Sequence, residues 1–149
     1  MKEAIFNESD ICVVNMELIN KLKRQAIISP KRRFRFCMHQ NHTDLVQEMI
    51  IVFCKDSHVP IHRHDEHHSE SFHVIEGNLT VLLYCDDGSL ANKVKLGQLG
   101  SGRETICRIS GSLWHTIKLE SEFVIIHETK TGPFDPEQKE KRPNWLSRS

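Results

Sequence analysis

His62 and His64 stand one residue apart, Glu70 follows them, and His115 comes later, behind a glycine-containing turn. Imidazole changes charge near neutrality and ligates metals through either ring nitrogen. In a β-strand, residues i and i+2 point to one face, so a strand would turn His62 and His64 into a two-pronged clamp. A third donor must come from a neighbouring strand. Glu70 opens a segment that runs to a turn at Gly77 and brings a carboxylate; His115 opens a later strand and brings a third imidazole. Three imidazoles with one carboxylate suit one divalent ion of zinc, iron, manganese, cobalt or nickel. Glu66, His67 and His68 lie in the intervening loop and are alternative donors to Glu70. Seven of the 10 histidines fall from His58 to His115, which marks this stretch as the chemical centre of the chain.

The elements that must position these groups are mostly strands. Asn15 caps a helix expected over Met16 to Ile28, where Leu18, Ile19, Leu22, Ala26 and Ile27 recur at helical spacing and Ser29-Pro30 ends it. Arg33 to Gln40 alternates charged and apolar residues, as an edge strand does. Apolar runs then follow at Met49–Cys54, Val59–His64, Glu70–Glu76, Leu79–Tyr84, Val94–Leu99, Glu104–Ile109, Trp114–Leu119 and Phe123–Thr129, separated by turn residues such as Gly77-Asn78, Asp87-Gly88 and Ser110-Gly111-Ser112. Short strands at this spacing predict an all-β sandwich or barrel. Pairing of Glu70–Glu76 with Val59–His64 would set Glu70 beside the two histidines. The organisation expected is an N-terminal segment with the helix over 1–30, a barrel over 31–134 and a polar tail over 135–149, in which Trp145-Leu146 docks on the body or on another subunit.

Bulk properties narrow the partners. The chain carries 20 Lys+Arg against 20 Asp+Glu, so the basic excess of a nucleic-acid binder is missing. No stretch reaches the roughly 20 apolar residues that span a bilayer, and no secretory signal opens the chain. Five cysteines at wide spacings, with no CxxC, argue for free thiols and a cytoplasmic setting; Cys54 and Cys85 sit in apolar runs as core residues. Arg33, Arg35 and His39 lie at alternating positions and are candidates to grip a phosphate or carboxylate of a substrate. Tyr84 and Lys130 are candidate acid or base groups. His73 is expected on the face opposite Glu70, and His127 as a hydrogen-bonded structural residue.

His62-Arg63-His64, Glu70 and Gly77 resemble the first cupin motif, and Ser110 to His115 resembles the second. More narrowly, residues 16–135 resemble the WbuC-type cupin-fold metalloproteins. The match rests on the helix followed by Pro30, Arg33-x-Arg35, His39, Gln47, the His-Arg-His triplet, Trp114-His115-Thr116 and the run His127 to Phe134. It implies a cupin-type double-stranded β-helix, or jelly-roll, barrel with a short N-terminal helix. It also implies metal at His62, His64, Glu70 and His115, a homodimer, and a setting in bacterial surface-polysaccharide (O-antigen) biosynthesis. Three departures stand out: five residues separate His64 from Glu70, Asp56 occupies a motif glycine position, and Ser110-Gly111-Ser112 replaces Pro-x-Gly. The function expected is a metalloenzyme of the isomerase or epimerase type acting on a sugar or sugar nucleotide. The alternatives are a non-catalytic metal-dependent small-molecule binding protein and an Fe(II) dioxygenase.

Overall fold

The computed structural model describes residues 2–137 and 140–148. Helix α1 spans Met16–Ile28, where the sequence places it, and the Asn15 side chain accepts from the Leu18 N–H at 3.0 Å. Nine strands make up most of the rest: β1 Ala4–Phe6, β2 Arg33–Cys37, β3 Val46–Cys54, β4 Ser69–Glu76, β5 Asn78–Tyr84, β6 Leu90–Gly97, β7 Ile106–Ser110, β8 Trp114–Leu119 and β9 Phe123–Thr131. One sheet has the order β1-β2-β3-β9-β4-β7 and the other β6-β5-β8. The sheets face each other across an apolar core that includes Met49, Ile51, Phe72, Val74, Val81 and Leu119.

Four expectations are corrected. The two sheets are not closed into a barrel: they form an open sandwich, in which isolated backbone bridges such as His62↔His115 and Leu96↔Glu104 tie connecting segments to strands of the smaller sheet. Val59–His64 is not a strand, because Pro60 has no N–H to give to a ladder. β2 is not an edge, since β1 pairs with it in parallel. Cys85 also lies exposed in a turn rather than in the core, whereas Cys54 is buried.

The six-stranded sheet is apolar on both faces at its centre. Ile19, Leu22 and Ala26 of α1 pack on Phe34, Phe36, Ile50, Val52, Cys54 and Ile125. The alternate residues of the same strands face the other sheet. Register fixes that inner face row by row. Arg35, Ile51, Ile126 and Val74 stand side by side across β2, β3, β9 and β4; Cys37, Met49, Glu128 and Phe72 form the next row; Gln47, Lys130 and Glu70 form the one after. The inner face is therefore apolar in the middle of the sheet and polar toward the end that carries Glu70. The tail folds back on the body, with Trp145 stacked near Tyr84 at a ring separation of 5.7 Å and against Gly88. No helix among the described residues is long and apolar enough to cross a membrane.

Candidate metal centre

Glu70 reaches the site from β4, whose neighbours are β7 and β9 and not the 59–64 segment. His115 comes from β8 in the facing sheet. The 59–64 segment is laid along β8 by paired backbone bonds: the His62 N–H donates to the His115 carbonyl at 3.0 Å, and the His115 N–H returns to His62 at 2.9 Å. The His64 N–H donates to the Gly111 carbonyl at 2.7 Å. Between the two histidines, Arg63 turns outward and stacks over Trp114 at 4.3 Å. The two imidazoles thus converge as expected, through one bridge to β8 rather than through a strand of their own.

One donor atom from each of His62, His64, Glu70 and His115 lies within 4.8 Å of every other. Donors on opposite sides of an ion with bonds of about 2.0–2.2 Å stand roughly 4.4 Å apart, so the cluster matches the spacing of a coordination shell. His62 Nδ1 donates to the Pro60 carbonyl and His115 Nδ1 to the Leu113 carbonyl, each at 2.8 Å. A carbonyl only accepts, so both rings carry Nδ1–H and aim the Nε2 lone pair inward, as ligating histidines do. His64 Nε2, His115 Nε2 and Glu70 Oε1 are buried without hydrogen-bond partners. Glu70 lies close to both rings, with Oε2 3.4 Å from His64 Nε2 and Oε1 against His115 Nε2, but without hydrogen-bond alignment. Buried polar atoms of native proteins are nearly always satisfied, and orphans that share one focus are explained by an ion there. These residues fit a divalent metal.

The charges of the metal-free site pull its residues in different directions. Burial, reinforced by the neighbouring His115, pushes His62 below the ordinary histidine value and so toward the neutral, ligating form. Burial pulls Glu70 upward, but the His115 and His64 imidazoles outweigh it and hold the carboxyl well below the usual range, ionised. Burial likewise opposes a charge on His115, and the Glu70 carboxylate reverses the balance, raising its value.

A cavity of about 310 Å³ adjoins the cluster. Lys130, which stands directly across from Glu70 in the ladder, lines it, as do Arg33 and Arg35. Tyr84 does not line it; the ring lies against Trp145. His39 is buried with its Nδ1 2.9 Å from the Glu48 carbonyl, and lines a separate pocket that Arg35 also borders. Glu66 and His67 are exposed in the loop and His68 is partly buried; none of them joins the cluster. His73 is exposed on the outer face, and His127 Nε2 bonds Glu48 at 2.9 Å. Glu128 lines the cavity and was not singled out by the sequence reading. Its signal was there: Val124, Ile126, Glu128 and Lys130 share one face of β9 by period-two alternation.

Burial, with the Glu70 charge adding to it, pushes the Glu128 carboxyl up to about 7. A raised carboxyl value means that the folded, metal-free protein holds a proton the unfolded chain releases near pH 4.5. The resulting stability is full below that pH and is lost as pH rises through about 7. Glu128→Gln removes this dependence. In urea unfolding of the metal-free protein, the variant is expected to gain up to about 3 kcal/mol on the wild type between pH 5 and pH 8. Parallel pH profiles would show that Glu128 ionises freely.

Residues 14–96, more than half of the chain, match the family model described as Domain of unknown function (DUF6016). No curated protein matches the sequence. Among solved structures, a Shewanella oneidensis protein from a structural genomics programme aligns with a TM-score of 0.59 at 14% identity, over 73% of this chain and 73% of that one. A cupin 2 conserved barrel domain protein from Rhodopseudomonas palustris aligns at 0.56 and 11% identity, over 75% of this chain and 67% of that one. A cupin superfamily protein from Desulfitobacterium hafniense aligns at 0.51 and 12%, over 66% and 76%. At such identities the likeness shows the fold, which is the cupin fold. The narrower WbuC-type resemblance rests on the sequence motifs alone.

Proposed function

The chain belongs to the family described as Domain of unknown function (DUF6016), and from the cupin fold, the His/Glu cluster and the motif resemblance we propose that it is a metal-dependent cupin acting on a sugar or sugar nucleotide as an isomerase or epimerase. The observation that carries the metal reading is the buried set of four donors with its unsatisfied Nε2 and carboxylate atoms. A divalent ion bound there would act as a Lewis acid that polarises a carbonyl or hydroxyl oxygen. The chain's own residues supply the rest. Lys130 and Glu128 lie on the inner face of β9, Lys130 level with Glu70 and Glu128 level with Phe72, and both open onto the cavity. A carboxyl held near neutrality beside an ammonium is suited to taking a proton and returning it. Phe72, Ile117 and Ile126 also line the cavity and exclude water from one side of it. The volume accommodates a ligand of the size of one sugar ring. The motif resemblance supports surface-polysaccharide synthesis as the setting.

Elemental analysis of natively expressed protein tests the metal. About one divalent ion per chain is expected, and less than about 0.1 per chain in folded protein overturns the reading. Incubation in deuterated water with keto-sugars and nucleotide sugars tests the chemistry. Deuterium in recovered substrate supports the isomerase; tight binding without exchange supports a binding protein. Iron with oxygen consumption would point to the dioxygenase.

A further inference from the structure

Arg33 and Arg35 are placed where a sandwich normally keeps its core. On β2 the alternate residues Phe34 and Phe36 face α1, so the two arginines face the other way, into the cavity that holds the ligand cluster. Among the described residues no carboxylate stands within 4.0 Å of either guanidinium, and the hydrogen bond found for the pair is Arg33 Nη1 to the His58 carbonyl at 3.3 Å. Burial and the neighbouring Arg35 charge pull Arg33 below its ordinary value, and the more distant Glu3, Glu140 and Glu128 offset them only in part. Lys31, Lys130 and Arg142 add three more positive groups to the lining, against Glu128 and Glu140 besides the ligand Glu70.

The inner face between the arginines and the cluster is apolar. Ile51 of β3 and Ile126 of β9 lie between Arg35 and β4 in the ladder. Three strand spacings separate β2 from β4, roughly 14 Å between backbones, which long side chains shorten to the length of a small molecule. A neutral ligand would leave two half-buried guanidiniums without a partner at one end. A bidentate anion pairs them.

We propose that the cavity takes a small acid, a sugar-sized ligand whose carboxylate or phosphate is gripped by Arg33 and Arg35 while its oxygenated end faces His62, His64, Glu70 and His115. The reading rests on the metal assignment for the second end only; the arginine end stands on the fold. The probes are glucuronate for a carboxylate head, glucose 6-phosphate for a phosphate head and glucose for a neutral one. Calorimetric titration uses the full-length protein as isolated, with metal content measured on the same sample. One of the two anions is expected to bind at least about tenfold more tightly than glucose, and Arg33→Gln/Arg35→Gln is expected to cancel that preference with metal content unchanged. Arg35→Lys keeps the charge and guards against misfolding; it is expected to retain part of the preference. Equal binding of all three probes, or anion binding that survives the double substitution, overturns the proposal. A sample without metal that still binds an anion through the arginines overturns the metal reading alone.

Discussion

His115→Ala is expected to lower metal affinity by more than about 100-fold, beyond the 10- to 100-fold typical of residues that only support a ligand. His115 is 1% exposed, its Nδ1–H is tied to the Leu113 carbonyl, and its backbone holds His62 in place. Alanine keeps the backbone pair and removes only the ring. In the metal-free protein the same change strips Glu70 of its nearest partner and leaves a carboxylate that is 4% exposed. Breaking a buried pair in this way costs about 3–5 kcal/mol. Two readouts separate the effects: elemental analysis follows the ion, and melting with and without added metal follows linkage. Wild type is expected to gain about 4 kcal/mol from metal at a thousand times Kd, and the variant almost none at the same concentration. His67→Ala is the control, since its side chain is 87% exposed and outside the cluster. If His67→Ala lost the ion and His115→Ala kept it, the assigned centre would be wrong.

The second large effect is expected at Gly111, in the turn before His115. A Cβ added there would lie 2.0 Å from the His68 carbonyl oxygen and 2.3 Å from that of Asp65. Both are backbone atoms, so no rotamer change relieves the clash, and the loop carrying His64 must move away from the turn. Overpacking of side chains costs about 1–3 kcal/mol; Gly111→Ala is expected at or above the top of that range. Because the Gly111 carbonyl also accepts from His64 at 2.7 Å, metal affinity should fall with stability. Gly100→Ala is the comparison. That glycine has φ of 87° but nothing within 4 Å of an added Cβ, so only the left-handed strain of about 1–2 kcal/mol applies. Equal losses in the two variants by chemical denaturation would contradict the steric argument.

The readable parts of the sequence were those whose cause is local. Asn15 announces its helix because a cap is a side chain bonding three residues along. Trp114–Leu119 is found where the alternation puts it. The four candidate ligands were legible from the His-x-His pair with the Glu70–Gly77 spacing after it, and from the turn before His115 that resembles the second cupin motif. The rest depended on partners far along the chain. Nothing in Ala4–Phe6 says that it will pair in parallel with β2, and that pairing turns an expected edge into an interior strand. Pro60 hints that the 59–64 segment is no strand, but its attachment to β8 required the facing sheet. Glu128 was missed although Lys130 was named, because a face of β9 acquires meaning only once β3 and β4 flank it. Tyr84 was a candidate acid or base by its chemical type alone, and its ring lies against the tail's Trp145 instead of the cavity.

The six-stranded sheet works as a partition between two compartments, one filled by the apolar face of α1 and the other by an apolar core that gives way to charged groups toward Glu70. Each residue of β9 is addressed to one side or the other by parity alone. A slip of β9 by a single position against its neighbours would turn Glu128 and Lys130 to the helix-bearing face of the sheet and swing Ile125 and His127 toward the cavity. The buried run Val124-Ile125-Ile126 is apolar for both addresses and does not itself choose between them. The choice falls to the charged end of the strand. The groups proposed for chemistry therefore also mark the register of the strand, since the mistaken pairing would take both away from the cavity and put Ile125 and His127 in their place.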